Sequence, residues 1–345
     1  MQQSWREFLI QQGATINDHN LVTFSDEINS NELLDTSACV TPCLDYGLIR
    51  VSGADAQSFL QGQTSNDVKE LSPSRSQLSS YNHPKGRILA LFVLHKIGES
   101  YVIRMPREIL ASTLKRLQMF VMRSAVKLED VSEDYVIIGL AGRGCSKNVS
   151  AAGFKVPENQ FDTFATESGL VTRLSNREEL FELLVEIDHS QAAWNSLCAQ
   201  AKAVASHTWR LAKIRCGIPE VFQDTVEAFI PQMVNLDWLT GISFTKGCYP
   251  GQEIVARMHY LGNLKKRMYL VSFKTSEAMP VSNEKIFEID SSNTQSVGNL
   301  VYCAPASKDE YLGLAVINIK SAESQSLKLG EKELALKVSS LQPES

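Results

Sequence analysis

The residues best suited to chemistry stand in one run, Lys246-Gly247-Cys248-Tyr249-Pro250-Gly251-Gln252-Glu253, followed by Ile254-Val255-Ala256-Arg257. Two glycines and a proline bracket the cysteine, which places the thiol on a sharp, preformed turn and not inside a regular element. From Gln252 onward the chain reads as a short helix or strand with Glu253 near its start. If it is a helix, its positive end and Lys246, two residues before the thiol, both favour the thiolate form. Cys248 is then a candidate nucleophile, redox thiol, or transient ligand for a metal or sulfur. The plainer alternative is a small, half-buried residue in a tight turn.

No other residue type makes a comparable cluster. Cys39, Cys43, Cys145, Cys198, Cys216 and Cys303 lack the bracketing turn residues and the nearby lysine, and are expected to act as small hydrophobes. Cys39 and Cys43 are four apart, but no second pair or close histidine completes a zinc site. The six histidines show no i,i+4 pair, so no stably bound metal is expected. Lys265-Lys266-Arg267, with Arg257 and His259 upstream, suits phosphate or a glutamate tail, although adjacent charges more often mark a solvated strand entry.

These residues need a scaffold, and 345 residues suffice for two or three domains at roughly 150 residues each. The chain is 43% hydrophobic and 21% charged, the make-up of a globular protein with a sizeable core. Its net charge of −5 argues against bulk coating of nucleic acid. An odd cysteine set without paired spacing points to a reducing, cytoplasmic setting. No apolar leader is evident, and the clearest apolar run, Ile88 to Leu94, is too short to cross a bilayer, so no membrane association is expected.

Residues 1–43 carry no clear pattern. Leu48, Ile49 and Val51 predict a strand stopping at Ser52-Gly53, and Ala56, Phe59 and Leu60 a helix from near Asp55. Ile88–His95 and Ser100–Met105 read as a hairpin about Gly98. Ile109, Leu110, Leu114, Leu117 and Phe120 mark a helix opened by Pro106, and Ser124–Leu128 a further strand. A second block follows: a strand from Tyr135 to Leu140, a weak helix after Arg143, strands at Leu170–Leu174 and Glu182–Ile187, and a helix across Gln191–Ala205. No sequence repeat between the blocks is evident. Past Lys265 there are short strands (Met268–Phe273, Lys285–Ile289, Val297–Tyr302, Leu312–Ile319, Leu334–Val338) with polar turns such as Ser291-Ser292-Asn293 and Leu329-Gly330-Glu331. The predicted fold is α+β: two ferredoxin-like subdomains, 1–134 and 135–264, and a C-terminal antiparallel β-barrel, 265–345.

The octet around Cys248 resembles the signature of the YgfZ family, folate-binding relatives of the glycine-cleavage aminomethyltransferase. Gly217-Ile218-Pro219, Phe229-Ile230-Pro231-Gln232, Asn235-Leu236 and Gly241-Ile242-Ser243-Phe244 extend the likeness. Near the front so do Val51-Ser52-Gly53-Ala54-Asp55, Phe59-Leu60-Gln61-Gly62-Gln63-Thr64, Asp67-Val68 and Lys85-Gly86-Arg87. The resemblance implies an aminomethyltransferase-like folate-binding fold and tetrahydrofolate, or a derivative, as cofactor. It also implies a role in iron–sulfur cluster assembly or repair and thereby in tRNA modification such as methylthiolation, with iron–sulfur enzymes or cluster-assembly proteins as partners and tRNA reached indirectly. It places folate against Tyr46, where a relative carries tryptophan, and Trp209, with catalysis at Cys248 and Lys246 inside a motif that includes Gly247, Tyr249, Gly251, Gln252 and Glu253. Leu89 and Ala90 stand where the aminomethyltransferases carry an acidic pair. An aliphatic side chain moves no proton, so the alternative, a folate-dependent aminomethyl- or methyltransferase, is disfavoured.

Overall fold

A computed structural model describes residues 2–24, 29–289, 295–330 and 333–342. The elements run α1 (Gln2–Gln11), β1 (Thr15–Ile16), β2 (Val22–Thr23), α2 (Ser30–Thr36), β3 (Cys39–Pro42), β4 (Tyr46–Ser52), α3 (Ala56–Gln61), β5 (Gln77–Asn82), β6 (Ile88–Ile97), β7 (Ser100–Pro106), α4 (Leu110–Gln118) and β8 (Lys127–Asp130). They continue with β9 (Tyr135–Ala141), α5 (Cys145–Ala151), β10 (Thr163–Thr166), β11 (Gly169–Ser175), β12 (Leu180–Glu186), α6 (Ser190–Cys198), β13 (Lys202–Ala203), α7 (Ser206–Arg215) and α8 (Gln252–Tyr260). The last are β14 (Lys266–Lys274), β15 (Lys285–Glu288), β16 (Gly298–Pro305), β17 (Glu310–Asn318), α9 (Ile319–Ser324), β18 (Leu327–Leu329) and β19 (Leu334–Ser339). Among the described residues no helix is long and apolar enough to cross a membrane.

Three sheets, ordered β1-β2, β5-β6-β7-β4-β8 and β10-β11-β12-β9-β3-β13, accompany a closed barrel, β14-β17-β16-β15-β18-β19. The expected α+β class with a terminal antiparallel barrel is present. The chain divides into two compact units. One comprises Met1–Phe59, Lys69–Gln77 and Val93–Ala212, the other Leu60–Val68, Leu78–Phe92 and Lys213–Ser345. Strand β6 passes from one to the other, and its first eight residues are all buried, as a continuous apolar run requires.

The first unit contains a structural repeat. Strand β7, a 3-10 turn and helix α4 correspond to β12, a 3-10 turn and α6, each boundary lying 80 residues on (100→180, 106→186, 110→190, 118→198). Pro106 and Glu186 have nearly the same backbone angles (φ −54, ψ 131 and φ −58, ψ 140). The sequences diverge because only burial is shared: Leu110 and Leu117 are buried on α4, Trp194 and Leu197 on α6. Trp5 meets Trp194 edge-on with centroids 5.9 Å apart, within a core that includes Leu9, Val40, Ile138, Leu140 and Phe181. The barrel has its own core around Val271, Leu300, Ile317 and Leu327.

Several expectations shift. Phe120 lies beyond the end of α4 and is 49% exposed. The strand expected at Ser124–Leu128 forms at Lys127–Asp130, paired with β4. The helix expected across Gln191–Ala205 ends at Cys198; Lys202–Ala203 pairs in parallel with β3, and a separate helix begins at Ser206. Backbone pairing to a distant strand outcompetes local helix propensity there. The turn Ser291-Ser292-Asn293 and residue Glu331 lie outside the described residues.

Candidate functional site

In the second unit the octet forms the predicted turn and then helix α8. Cys248 is exposed, whereas five of the other cysteines are buried and Cys198 is intermediate. Gly247 is exposed beside it. Gly251 caps α8 at φ +80, a conformation that favours glycine, and a Cβ there would lie 2.7 Å from His83 O and 2.8 Å from Gly86 Cα. Reciprocally, a Cβ on Gly86 (φ +75) would lie 2.8 Å from Ile254 Cβ. The two sequence landmarks therefore interlock through two glycines. Glu253, exposed in the first turn of α8, complements the positive helix end, and Gln252 is half-buried.

Lys246 is buried, and its Nζ donates to Thr64 O at 2.7 Å and Asn66 O at 2.8 Å, while lying 5.2 Å from the Tyr249 ring centroid. Burial lowers its pKa to about 8, opposed by the Asp67 carboxylate, and burial raises the Tyr249 phenol to about 12. Ser65 Oγ donates to Gly241 O, Asn66 Nδ2 to Thr240 O, and Ser243 N to Ser65 O. The front landmark thus braces the segment leading to Cys248. The Lys246 ammonium is held by two backbone carbonyls, so Lys246 braces the loop that carries Cys248.

The two aromatics singled out for folate belong to the first unit. Tyr46, on β4, is 3% exposed and carries the Arg104 guanidinium 4.7 Å from its ring centroid. Trp209, on α7, is 2% exposed and covers Gly139, where a Cβ would lie 2.6 Å from Trp209 Cδ2. They share one buried assembly: Arg104 Nε pairs with Glu182 Oε1 at 2.8 Å, Glu182 lies opposite Gly139 in the sheet, and Arg210 pairs with Asp45 at 2.9 Å. Each ring already packs one face on protein.

Sequence reading missed the Arg104–Glu182 pair, although a charge flanked on both sides by apolar residues in each of two strands is its signal. It also missed Lys213–Glu220, an ion pair at 2.6 Å with both side chains buried. Arg267, grouped by sequence with phosphate-binding candidates, is held bidentately by Asp237 at 2.6 and 2.7 Å and lies over Trp238. Lys265 remains exposed. No group of three or more metal-ligating side chains occurs among the described residues.

A folate needs hydrogen-bonding groups that the folded chain has not already used. The second unit has them: Ser80 Oγ, both amide atoms of Asn82 and Gln63 Oε1 are buried without a hydrogen-bond partner. These residues fit a flat ligand with a polar edge. Leu89 and Ala90, by contrast, are buried aliphatic residues on β6 and offer it no proton acceptor.

The architecture defines the class first. The structure is similar to the glycine cleavage system aminomethyltransferase T from Bartonella henselae, with a TM-score of 0.79 and 15% identity over 97% of this chain and 95% of that one. Residues 32–243 match the GCVT N-terminal domain. The chain is 30% identical over 312 residues to a tRNA-modifying protein YgfZ of Aliivibrio fischeri, covering 88% of this chain and 92% of the relative. It is 30% identical over 242 residues to that of Yersinia pseudotuberculosis, covering 70% and 73%. The chain belongs to the YgfZ family of GCVT-domain proteins.

Proposed function

We propose that this protein is a folate-binding accessory factor in tRNA modification, acting through the assembly or repair of iron–sulfur clusters, with Cys248 as its reactive thiol. The relatives' name and the aminomethyltransferase-like fold support the tRNA and folate parts of this reading. The observation that carries the thiol is that Cys248 alone of the seven cysteines is exposed, on a turn locked by Lys246 and by the Gly86–Gly251 contact.

In this reading Tyr46 and Trp209 of the first unit pack against tetrahydrofolate, which when bound supplies a reduced ring and nitrogens able to carry one-carbon groups. Lys246 orients the loop, and Cys248 meets partner iron–sulfur proteins at the surface. The link to tRNA runs through those enzymes. Leu89 and Ala90 leave no acid or base for an aminomethyl transfer.

The test is complementation of a strain lacking its own family member, read out as tRNA methylthiolation. Cys248→Ala is expected to abolish rescue while leaving the protein folded. Full rescue by that variant would remove the thiol from the mechanism, and methylenetetrahydrofolate formed from an amine donor would restore the transferase alternative.

A further inference from the structure

We infer that the cavity where the loop leaving α8 meets the corner between β17 and α9 is a binding site for the phosphate group of a small phosphorylated molecule. The inference rests on neither the folate nor the thiol reading.

The cavity measures about 420 Å³ and is lined by Asn263, Leu264 and Lys265 from the loop and by Asn318, Ile319 and Lys320 from the corner. Small-molecule sites occupy roughly 300–1,000 Å³. Both walls belong to the second unit, and both are fixed. At the end of α8 the chain packs so closely that a Cβ on Gly262 would lie 2.8 Å from Met258 Cα. Past the loop, Ile319 N donates to Lys265 O at 2.9 Å, and Lys266 lies opposite Asn318 in the β14–β17 ladder. Asn318 Oδ1 accepts from Lys320 N at 3.2 Å, which orients the amide and leaves Nδ2 as its donor.

The lining carries two ammonium groups and two primary amides but, among the described residues, no carboxylate. Neither Lys265 nor Lys320 has an ion-pair partner among the described residues, and Glu323, the only carboxylate on α9, pairs with neither. Arg267, two residues past Lys265, is by contrast neutralised by Asp237. Lys266 between them adds to the positive field: burial lowers its pKa, and the Lys285 and Arg87 charges lower it further.

Two cations facing one cavity repel each other, and an anion between them replaces that repulsion by attraction. A phosphate monoester suits these donors better than a carboxylate, because it brings about two negative charges at pH 7 and three strong acceptor oxygens. Two ammoniums and two amide NH2 groups match that set. Lysine binds phosphate as a point charge, so no fork-shaped guanidinium is required. Leu264 and Ile319 supply apolar wall for the organic part of the molecule. The four donors surround one cavity and do not follow a strip, which favours a single terminal phosphate over the repeated phosphates of an RNA backbone.

Calorimetric titrations of the full-length protein at low ionic strength with AMP, adenosine, inorganic phosphate, succinate and a short single-stranded RNA lacking terminal phosphates test this, together with melting curves. The wild type is expected to bind AMP and inorganic phosphate but not adenosine. Lys265→Met and Lys320→Met should each weaken AMP about tenfold, and the double variant should lose it. Unliganded, the variants should melt with the wild type, since both ammoniums belong to exposed residues, whereas phosphate should raise the melting temperature of the wild type alone. Absence of AMP and phosphate binding in the wild type, or AMP affinity retained in the double variant, would overturn the inference. Succinate bound as tightly as AMP would overturn the phosphate identity. RNA bound more tightly than AMP, and lost in the double variant, would overturn the small-molecule assignment.

Discussion

The two units hold some of their buried polar groups differently. The first closes its interior with charge: Arg104 and Glu182, 6% and 3% exposed, pair at 2.8 Å, with Tyr46 under the guanidinium. The second leaves neutral groups open at Ser80, Asn82 and Gln63 and holds its working turn with a lysine on backbone carbonyls and two glycines in contact. A buried charge without its partner is too costly to leave for a ligand. A neutral amide is not, since it costs about 1–3 kcal/mol per group. Here the buried Arg104 and Glu182 charges are paired, whereas the side-chain atoms left open at Ser80, Asn82 and Gln63 are neutral.

The largest expected effect breaks the closed side. Glu182→Leu strands a buried guanidinium and should cost about 3–5 kcal/mol in denaturant unfolding, and replacing both partners by apolar residues should recover most of it. Stability unchanged in the single variant would mean that water reaches Arg104. On the open side, Gly251→Ala forces a left-handed conformation costing about 1–2 kcal/mol and adds a contact with the backbone of His83 and Gly86. It should lower stability by more than that figure and lower complementation with it.

Lys246→Met should cost about 1–3 kcal/mol by removing the ammonium that Thr64 O and Asn66 O accept from. It should also change the pH profile. The folded pKa of Lys246, about 8, lies below its ordinary 10.5, so between these values the unfolded chain binds more protons and stability rises with pH. Wild type should gain on Lys246→Met from about pH 8 to about 10.5, and the difference should be flat below 8. Melting temperatures across that range check the sign, and a gap that narrows with rising pH would contradict it. The smallest effect is expected at the exposed thiol: Cys248→Ala should change stability by less than about 0.5 kcal/mol, which separates its loss of function from loss of fold.

Much of this was legible in the residues. Alternating and continuous apolar runs located β4, β6, β7, β9 and most barrel strands, and the Gly-Cys-Tyr-Pro-Gly spacing marked the turn and the thiol. Strand β5, Gln77-Leu-Ser-Ser-Tyr-Asn82, was not legible, because a fully buried strand rich in polar residues has no hydrophobic period. Helix α7 was hidden for a related reason: Lys213 lies in its apolar stretch and becomes acceptable only when folding delivers Glu220 to within 2.6 Å. The repeat of β7–α4 in β12–α6 was equally invisible, since it conserves burial positions and backbone angles rather than residue types.

The sequence by itself determined the α+β class, the barrel, the family and the one cysteine worth testing, because these depend on periodicity and on turn residues acting locally. Only the tertiary structure decided that Lys246 is a strut, that Tyr46 and Trp209 are buried against Arg104 and Gly139, and that the Asn82 and Ser80 side chains have no hydrogen-bond partner among the described residues. Each of these is a relation between residues far apart in the chain, and the presence or absence of a hydrogen-bond partner is defined only once burial has removed water as the alternative.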